Sequence, residues 1–151
     1  TGLGFTEITA ARNWNGLLRE VPHFRDCAQV MMQLEGGAGV LGDVSYLAPN
    51  SLGYSFPLYW RMTFWGTEGV LETSVPSKGV TVYRNGDEAP SVEPPDEGTP
   101  GGYLESMLAW IDHRRDGLHL TMDEVLHAAR VTLLAQQAAD RGDTGVEVAR
   151  S

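Results

Sequence analysis

Alternating apolar and polar positions recur through the first half of the chain and predict a series of β-strands. At residues 24–34 the alternation is clear, because Ala28, Val30, Met32 and Leu34 share one face. The paired glycines after Glu35 predict a hairpin turn, since glycine accepts a positive φ freely. Together the β-branched and aromatic runs predict six strands, at residues 5–14, 24–34, 40–47, 58–65, 70–74 and 80–84.

The second half of the chain changes to a helical period. Residues 87–99 are acidic and proline-rich and predict a solvated loop, because they contain too little apolar area to order themselves. Thr99 followed by Pro100 suits a helix start, and apolar positions over 103–111 form a broad helical face. Gly117 is the expected end of this first helix.

A second helix begins with a capping box. Thr121 can accept a hydrogen bond from an unpaired backbone amide, and Glu124 can reach back to the amide of Thr121. This helix is expected to end near Arg141–Gly142, before a short final strand at 146–149. Strands followed by helices predict an α+β domain, in which an antiparallel or mixed sheet of about six strands packs its one face on helices.

Charge and composition limit the partners and the cellular setting that we expect for this protein. The 151 residues carry a formal net charge of −9, which disfavours nucleic acid and anionic membrane surfaces. No apolar run approaches the roughly 20 residues of a membrane span. Cys27 is the only cysteine, so an intrachain disulfide is excluded. These features favour one cytoplasmic domain spanning residues 1–151.

Two short motifs could suggest chemistry. Gly37, Gly39 and Gly42 spell GxGxxG, but the residues that follow predict a strand, whereas a dinucleotide site needs a helix there. We therefore interpret this stretch as a hairpin turn. His23 and Asp26 spell HxxD, but strand periodicity would place them on opposite faces. A surface entry to the second strand is the favoured interpretation.

The remaining reactive side chains do not form a catalytic pattern. Cys27 falls within a predicted strand, where a cysteine usually acts as a small buried apolar group. His113, His119 and His127 are expected to be neutral structural residues, since no cluster of metal ligands converges in the sequence. The sequence therefore predicts no catalytic residue, no metal site and no cofactor-binding residue.

Three segments together resemble the C-terminal domain of the Gfo/Idh/MocA family, the glucose–fructose oxidoreductase and inositol dehydrogenase group. Residues 26–41 are similar to the family's D-x-A-x-V strand and the glycine-led strand that returns from it. Residues 62–72 resemble its G-T-x-G-x-L/I-E hairpin, and residues 104–148 resemble its closing helices and last strand. The match covers nearly the whole chain in the family's order.

The resemblance implies an enzyme whose chemistry lies outside this chain. In the family an N-terminal Rossmann domain precedes this domain, and we expect it to be absent here. Lys78, the only lysine, lies in Ser-Lys-Gly and does not match the family's E-K-P motif. The whole enzyme is therefore expected to be a dehydrogenase that uses NAD or NADP on a sugar, a polyol or a related hydroxyl compound. This chain alone is predicted to be inactive.

The resemblance also gives the chain two structural roles. In the family the sheet forms one wall of the substrate cleft, and Asn50, Tyr54 and Tyr59 are the candidates here for touching substrate by hydrogen bonds and stacking. The other role is association, because the strands carry too many apolar groups for both faces to meet water. A homodimer through the sheet face is predicted, using Met31, Trp60, Met62, Phe64 and Trp65.

Two other functions remain open from the sequence. The chain could be a stand-alone binding or dimerisation module without enzymatic activity. A small complete hydrolase or isomerase has less support, because no paired acid and base can be identified. The sequence that precedes Thr1 in the full reading frame would distinguish the first alternative from an oxidoreductase.

Overall fold

The computed structural model describes residues 3–95, 102–114 and 121–149. The chain forms two compact units, one of residues 1–47 and 101–151 and the other of residues 48–100. We call them the helical unit and the hairpin unit. The expected helix start at Thr99–Pro100, the expected stop at Gly117, and His119 all lie outside the described residues.

The helical unit contains four antiparallel strands, β1 (Phe5–Trp14), β2 (Cys27–Leu34), β3 (Gly39–Ser45) and β8 (Thr144–Glu147). They form one sheet in the order β3-β2-β1-β8. The hairpin from β2 to β3 turns at Gly36 and Gly37, which both have a positive φ, as the sequence predicted. The final strand β8 pairs with β1.

Among the described residues of this unit there are two α-helices, α1 (Gly102–Ile111) and α2 (Met122–Arg141). The predicted capping box is confirmed: the amide of Glu124 donates to Thr121 Oγ1 at 3.2 Å, and the amide of Thr121 donates to Glu124 Oε2 at 2.8 Å. The Thr121 amide, together with the Thr121 hydroxyl that also donates to Glu124 Oε2, holds the pKa of the Glu124 carboxyl below its usual value. Gly142 ends α2 in the left-handed conformation with φ +72°.

The core of the helical unit lies where α2 packs on the sheet. Its buried members come from β1, α2 and the residue after β8: Ile8, Val131, Ala138 and Val148. Val30 and Met32 on β2 pack against this cluster, whereas Met31 between them is exposed. The alternation predicted for this strand is therefore confirmed, and it places one sheet face against the helix.

The hairpin unit is a second antiparallel sheet, of β4 (Met62–Gly66), β5 (Gly69–Thr73), β6 (Val80–Arg84) and β7 (Ser91–Glu93). Their order is β4-β5-β6-β7, and each strand pairs with the next one along the chain, so the sheet is a simple meander. Gly69, at the start of β5, has a φ of +150°, and a Cβ there would lie 2.0 Å from the carbonyl oxygen of Tyr83.

The α+β class is confirmed, but the single sheet of about six strands is wrong. The described residues form two sheets of four strands each, all antiparallel. Two strands were missed or misplaced: β7 lies within the stretch 87–99 expected to be loop, and the predicted strand 58–65 begins only at Met62. Alternation marks extended backbone, but it does not show which strands share hydrogen bonds.

Candidate functional site

The segment of residues 49–60, which we call the aromatic loop, carries the sequence-predicted substrate contacts in the hairpin unit. Asn50 and Tyr54 lie in a 3₁₀ segment, Asn50–Ser55, and Tyr59 follows a second tight turn. That turn is closed by the Tyr59 amide, which donates to the carbonyl of Phe56 at 2.9 Å. The carbonyl of Tyr59 accepts from the Val75 amide at 3.2 Å, which fixes the end of the loop to the segment after β5.

Three aromatic rings meet in this loop, and we call them the aromatic cluster. Tyr54 and Tyr59 make an edge-to-face contact with ring centroids 5.1 Å apart. Trp60 extends the group, with its ring centroid 6.5 Å from that of Tyr59. The structure thus brings together two of the three predicted contact residues and adds Trp60, which sequence reasoning had assigned to the dimer interface. Asn50 shares the 3₁₀ segment with Tyr54.

Two of the three side chains of the aromatic cluster are exposed to solvent, and Tyr59 is partly buried. Tyr54 and Trp60 are 76% and 66% exposed, values that are high for rings of this size in an ordered segment. Trp60 also has a φ of +48°, which is unusual for a bulky side chain. Such a surface can stack against a ligand and donate hydrogen bonds through the tyrosine hydroxyls and the indole N–H.

A second ordered feature, in the helical unit, is a loop that connects β1 to β2. Asp26 lies at the end of this loop and accepts hydrogen bonds from the residues at its start. Oδ1 accepts from the Gly16 amide at 2.6 Å, and Oδ2 accepts from the Leu17 and Leu18 amides at 2.7 and 2.9 Å. These bonds, led by that of Gly16, lower the pKa of Asp26 from 3.8 to about 2 despite its burial. The carboxylate is therefore ionised and serves as an anchor.

The close approach of this loop to β2 depends on Gly16. A Cβ at that position would lie 3.2 Å from Cys27 Sγ and 3.6 Å from Asp26 Oδ1. Asn15 closes the loop from the other side, since its Nδ2 donates to the carbonyls of Leu18 and Val21. The loop is therefore a closed structure held by polar side chains, although several of its apolar residues face solvent.

The surface interpretation of the HxxD motif is wrong for Asp26 and right for His23. Asp26 is 1% exposed and directly precedes β2, while His23 is exposed. The carboxylate accepts backbone amides ten to eight residues earlier in the chain, which periodicity does not reveal. The available sequence signal was an aspartate shortly after an Asn-Gly turn, a residue type that commonly accepts amides in loops.

A cleft of about 470 Å³ lies in the helical unit between the last turns of α2 and strands β1 to β3. Its lining combines small side chains with polar ones. The small residues include Ala11, Ala28, Gly42, Ala135 and Ala139. No residue of this cleft was predicted from the sequence as a substrate contact.

The nucleotide motif does not fit a cofactor. β3 begins at Gly39, within the GxGxxG stretch, so no helix N-terminus follows the glycines to receive a phosphate. The hairpin interpretation is therefore confirmed. Within the described ranges, no group of three or more His, Cys, Asp and Glu side chains is placed to hold a metal ion. Cys27 is buried in β2, as predicted.

The five residues predicted for association do not share one surface. In the hairpin unit Met62 and Phe64 lie on one sheet face, Trp65 lies on the opposite face, and Trp60 precedes the strand. Met31 belongs to the sheet of the helical unit, on the side away from α2. All five side chains are exposed.

Comparison with known proteins relates this fold to oxidoreductases. A proposed oxidoreductase from Thermotoga maritima matches 98% of this chain with a TM-score of 0.78 at 19% identity. A proposed oxidoreductase from Erwinia carotovora atroseptica matches 89% with a TM-score of 0.70 at 19% identity. An aldose–aldose oxidoreductase from Caulobacter crescentus, solved with glycerol, matches 95% with a TM-score of 0.65 at 20% identity.

These likenesses are of fold, and they are partial. The chain spans only 42%, 41% and 42% of the three proteins, so it has the fold of about two fifths of each. No protein-family model matches the chain, and no curated protein matches it in sequence. Of the helices in the part of the chain that the structure describes, none has the length and apolar character needed to cross a bilayer.

Proposed function

We propose that this chain is the C-terminal domain of an NAD(P)-dependent oxidoreductase that acts on a sugar, a polyol or a related hydroxyl compound. The observation that carries the proposal is the match of 98% of this chain to two fifths of an oxidoreductase fold. The resemblance of residues 26–41, 62–72 and 104–148 to the Gfo/Idh/MocA family supports the same assignment. In this proposal the nucleotide binds to a domain outside the chain.

The aromatic loop is the proposed contribution to the substrate cleft. Tyr54 and Tyr59 offer ring faces and hydroxyl groups together, a combination suited to a ligand with both C–H and O–H groups. Asn50 adds an amide that can both donate and accept. The domain would thus position a substrate, while hydride transfer would depend on groups that it does not carry.

Titration of the purified chain with NADH tests whether the nucleotide binds to a domain outside this chain. We expect no saturable change in NADH fluorescence, because the only GxGxxG stretch is a hairpin within the sheet. A dehydrogenase with an intact Rossmann domain, titrated in parallel, provides the positive control. A micromolar dissociation constant for the chain would overturn the assignment of the cofactor to another domain.

The protein encoded by the whole reading frame distinguishes the oxidoreductase from a stand-alone module. We expect that protein to oxidise or reduce hydroxyl compounds with NAD(H) or NADP(H). A reading frame without a nucleotide-binding domain would instead favour the binding or dimerisation module, for which the exposed apolar side chains provide the structural support.

Self-association is the second proposed role, and Phe64 is its most direct probe. Met62 and Phe64 leave apolar surface exposed on one face of the hairpin-unit sheet, and a stable dimer would cover roughly 800 Å² per partner. We expect a dimer in sedimentation velocity, and Phe64→Glu should convert it to a monomer. Val75→Glu, at an exposed apolar position between β5 and β6, is the matched control. A clean monomer at high protein concentration would contradict the prediction.

A further inference from the structure

Trp60 combines an unusual backbone with an unusual environment. Its φ of +48° lies in the left-handed region, where the Cβ of an L-residue meets the neighbouring carbonyl and bulky side chains are rare. Strain of this kind is normally offset by burial of the side chain. Trp60 is instead 66% exposed, so little burial of its own offsets the strain.

The backbone on both sides of Trp60 is held in place. The Tyr59 amide and carbonyl are both hydrogen-bonded, to Phe56 and Val75. On the other side, Arg61 Nε lies 3.7 Å from Glu72 Oε2, and β4 begins at Met62. The neighbouring residues therefore hold Trp60 in its strained backbone conformation. Strain of this kind recurs at ligand-binding sites.

The neighbouring rings turn this position into a binding surface. Tyr59 contacts both Tyr54 and Trp60, with interplanar angles of 62° and 55°, while the Tyr54 and Trp60 side chains themselves remain exposed. The exposed indole is the largest flat face in the group. A flat apolar face next to two tyrosines suits a ligand that has a rigid face of C–H bonds together with hydroxyl groups.

We infer that Trp60 is a ligand-stacking residue that selects closed-ring sugars over open-chain polyols. A pyranose ring presents several C–H bonds on one rigid face, which can lie on the indole. A linear polyol with the same hydroxyl groups must give up rotational freedom to present such a face, so its binding is weaker. This inference rests on the proposed function for the class of ligand and assigns to Trp60 a role other than dimer contact.

Binding to the purified chain tests the inference with two matched probes, methyl β-D-glucopyranoside and sorbitol. The four tryptophans give four indole N–H signals in a ¹H–¹⁵N spectrum, so Trp60 can be followed by itself. We expect a saturable shift of the Trp60 signal with the glucopyranoside in the millimolar range, and binding at least fivefold weaker for sorbitol. Equal affinity for the two probes, or no shift of Trp60 at 100 mM glucopyranoside, would overturn the inference.

Variants separate stacking from a structural role. Trp60→Ala should weaken glucopyranoside binding at least tenfold, and Trp60→Tyr should restore part of it. Trp60→Gly should also abolish binding with little change in Tm, because relief of the positive φ is opposed by the greater freedom that glycine gives the unfolded chain. Tyr103→Ala, which removes a 72% exposed ring from α1 in the other unit, should leave binding unchanged. A Trp60→Ala variant that keeps its fold and binds the glucopyranoside as tightly as the wild type would refute the inference.

The outcomes distinguish failure of the stacking role from failure of the proposed function. Glucopyranoside binding that depends on Trp60, in a protein that proves to lack redox activity, would uphold the stacking role and reject the oxidoreductase. Redox activity in the whole protein, without a shift of the Trp60 signal in this chain, would uphold the oxidoreductase and reject the stacking role.

Discussion

Replacing Ile8 with alanine should lower the free energy of unfolding by about 3 kcal/mol, the largest effect we expect from a single core substitution. Ile8 is fully buried and forms the centre of the cluster in which β1 meets Val131 and Ala138 of α2. The substitution removes apolar contacts and leaves a cavity, because close-packed neighbours relax only partly to fill the space.

Urea denaturation followed by circular dichroism measures the effect. A loss of about 3 kcal/mol is a large part of the 5–15 kcal/mol that stabilises a typical domain. Leu41→Ala is the matched control, because Leu41 is 82% exposed on β3 of the same sheet and should change stability by less than about 0.5 kcal/mol. Equal effects from the two variants would mean that the core does not lie between β1 and α2.

Asp26→Asn should lower Tm by roughly 5 °C or more at neutral pH, without removing side-chain volume. The carboxylate accepts three amides, from Gly16, Leu17 and Leu18, and an amide side chain has only one oxygen with which to replace it. The variant should therefore release the loop between β1 and β2, and hydrogen exchange should be faster at these three amides.

The effect of Asp26→Asn on Tm should depend on pH. The pKa of Asp26 is about 2 in the folded protein against an ordinary value of 3.8, so the native state favours the ionised form. The stabilisation is present above pH 3.8 and is lost as the pH falls towards 2. The difference in Tm between the wild type and Asp26→Asn should shrink over that range. A difference that stays constant from pH 6 to pH 2 would contradict an ionised anchor.

Local features were predictable from the sequence because their partners lie close along the chain. Strand β1 and strand β6 have the bounds that their β-branched residues predicted, and α2 begins at its capping box and ends before Gly142. The glycine-rich stretch forms a hairpin because strand residues follow it directly. In each case the energy that decides the structure comes from residues within about four positions, which a pattern can capture.

The candidate site was predictable only in part. Tyr54 and Tyr59 could be singled out as aromatic residues in a polar loop, and the structure brings their rings together. The role of Trp60 could not be predicted from the sequence. Its alternation with Met62 and Phe64 suggested a strand, whereas its φ is positive. That conformation is fixed by the turn at Phe56 and the bond to Val75, and no local propensity favours it.

The sequence by itself determined the α+β class, the alternating faces of β2 and the caps of α2, since each depends on local periodicity and local hydrogen bonds. Only the tertiary structure decided that the strands divide into two sheets, that β8 pairs with β1, and that Asp26 is buried. These outcomes depend on pairing between residues that are far apart in the chain. Such pairing is decided by the burial and hydrogen bonding of the whole unit, and a local sequence pattern does not predict it.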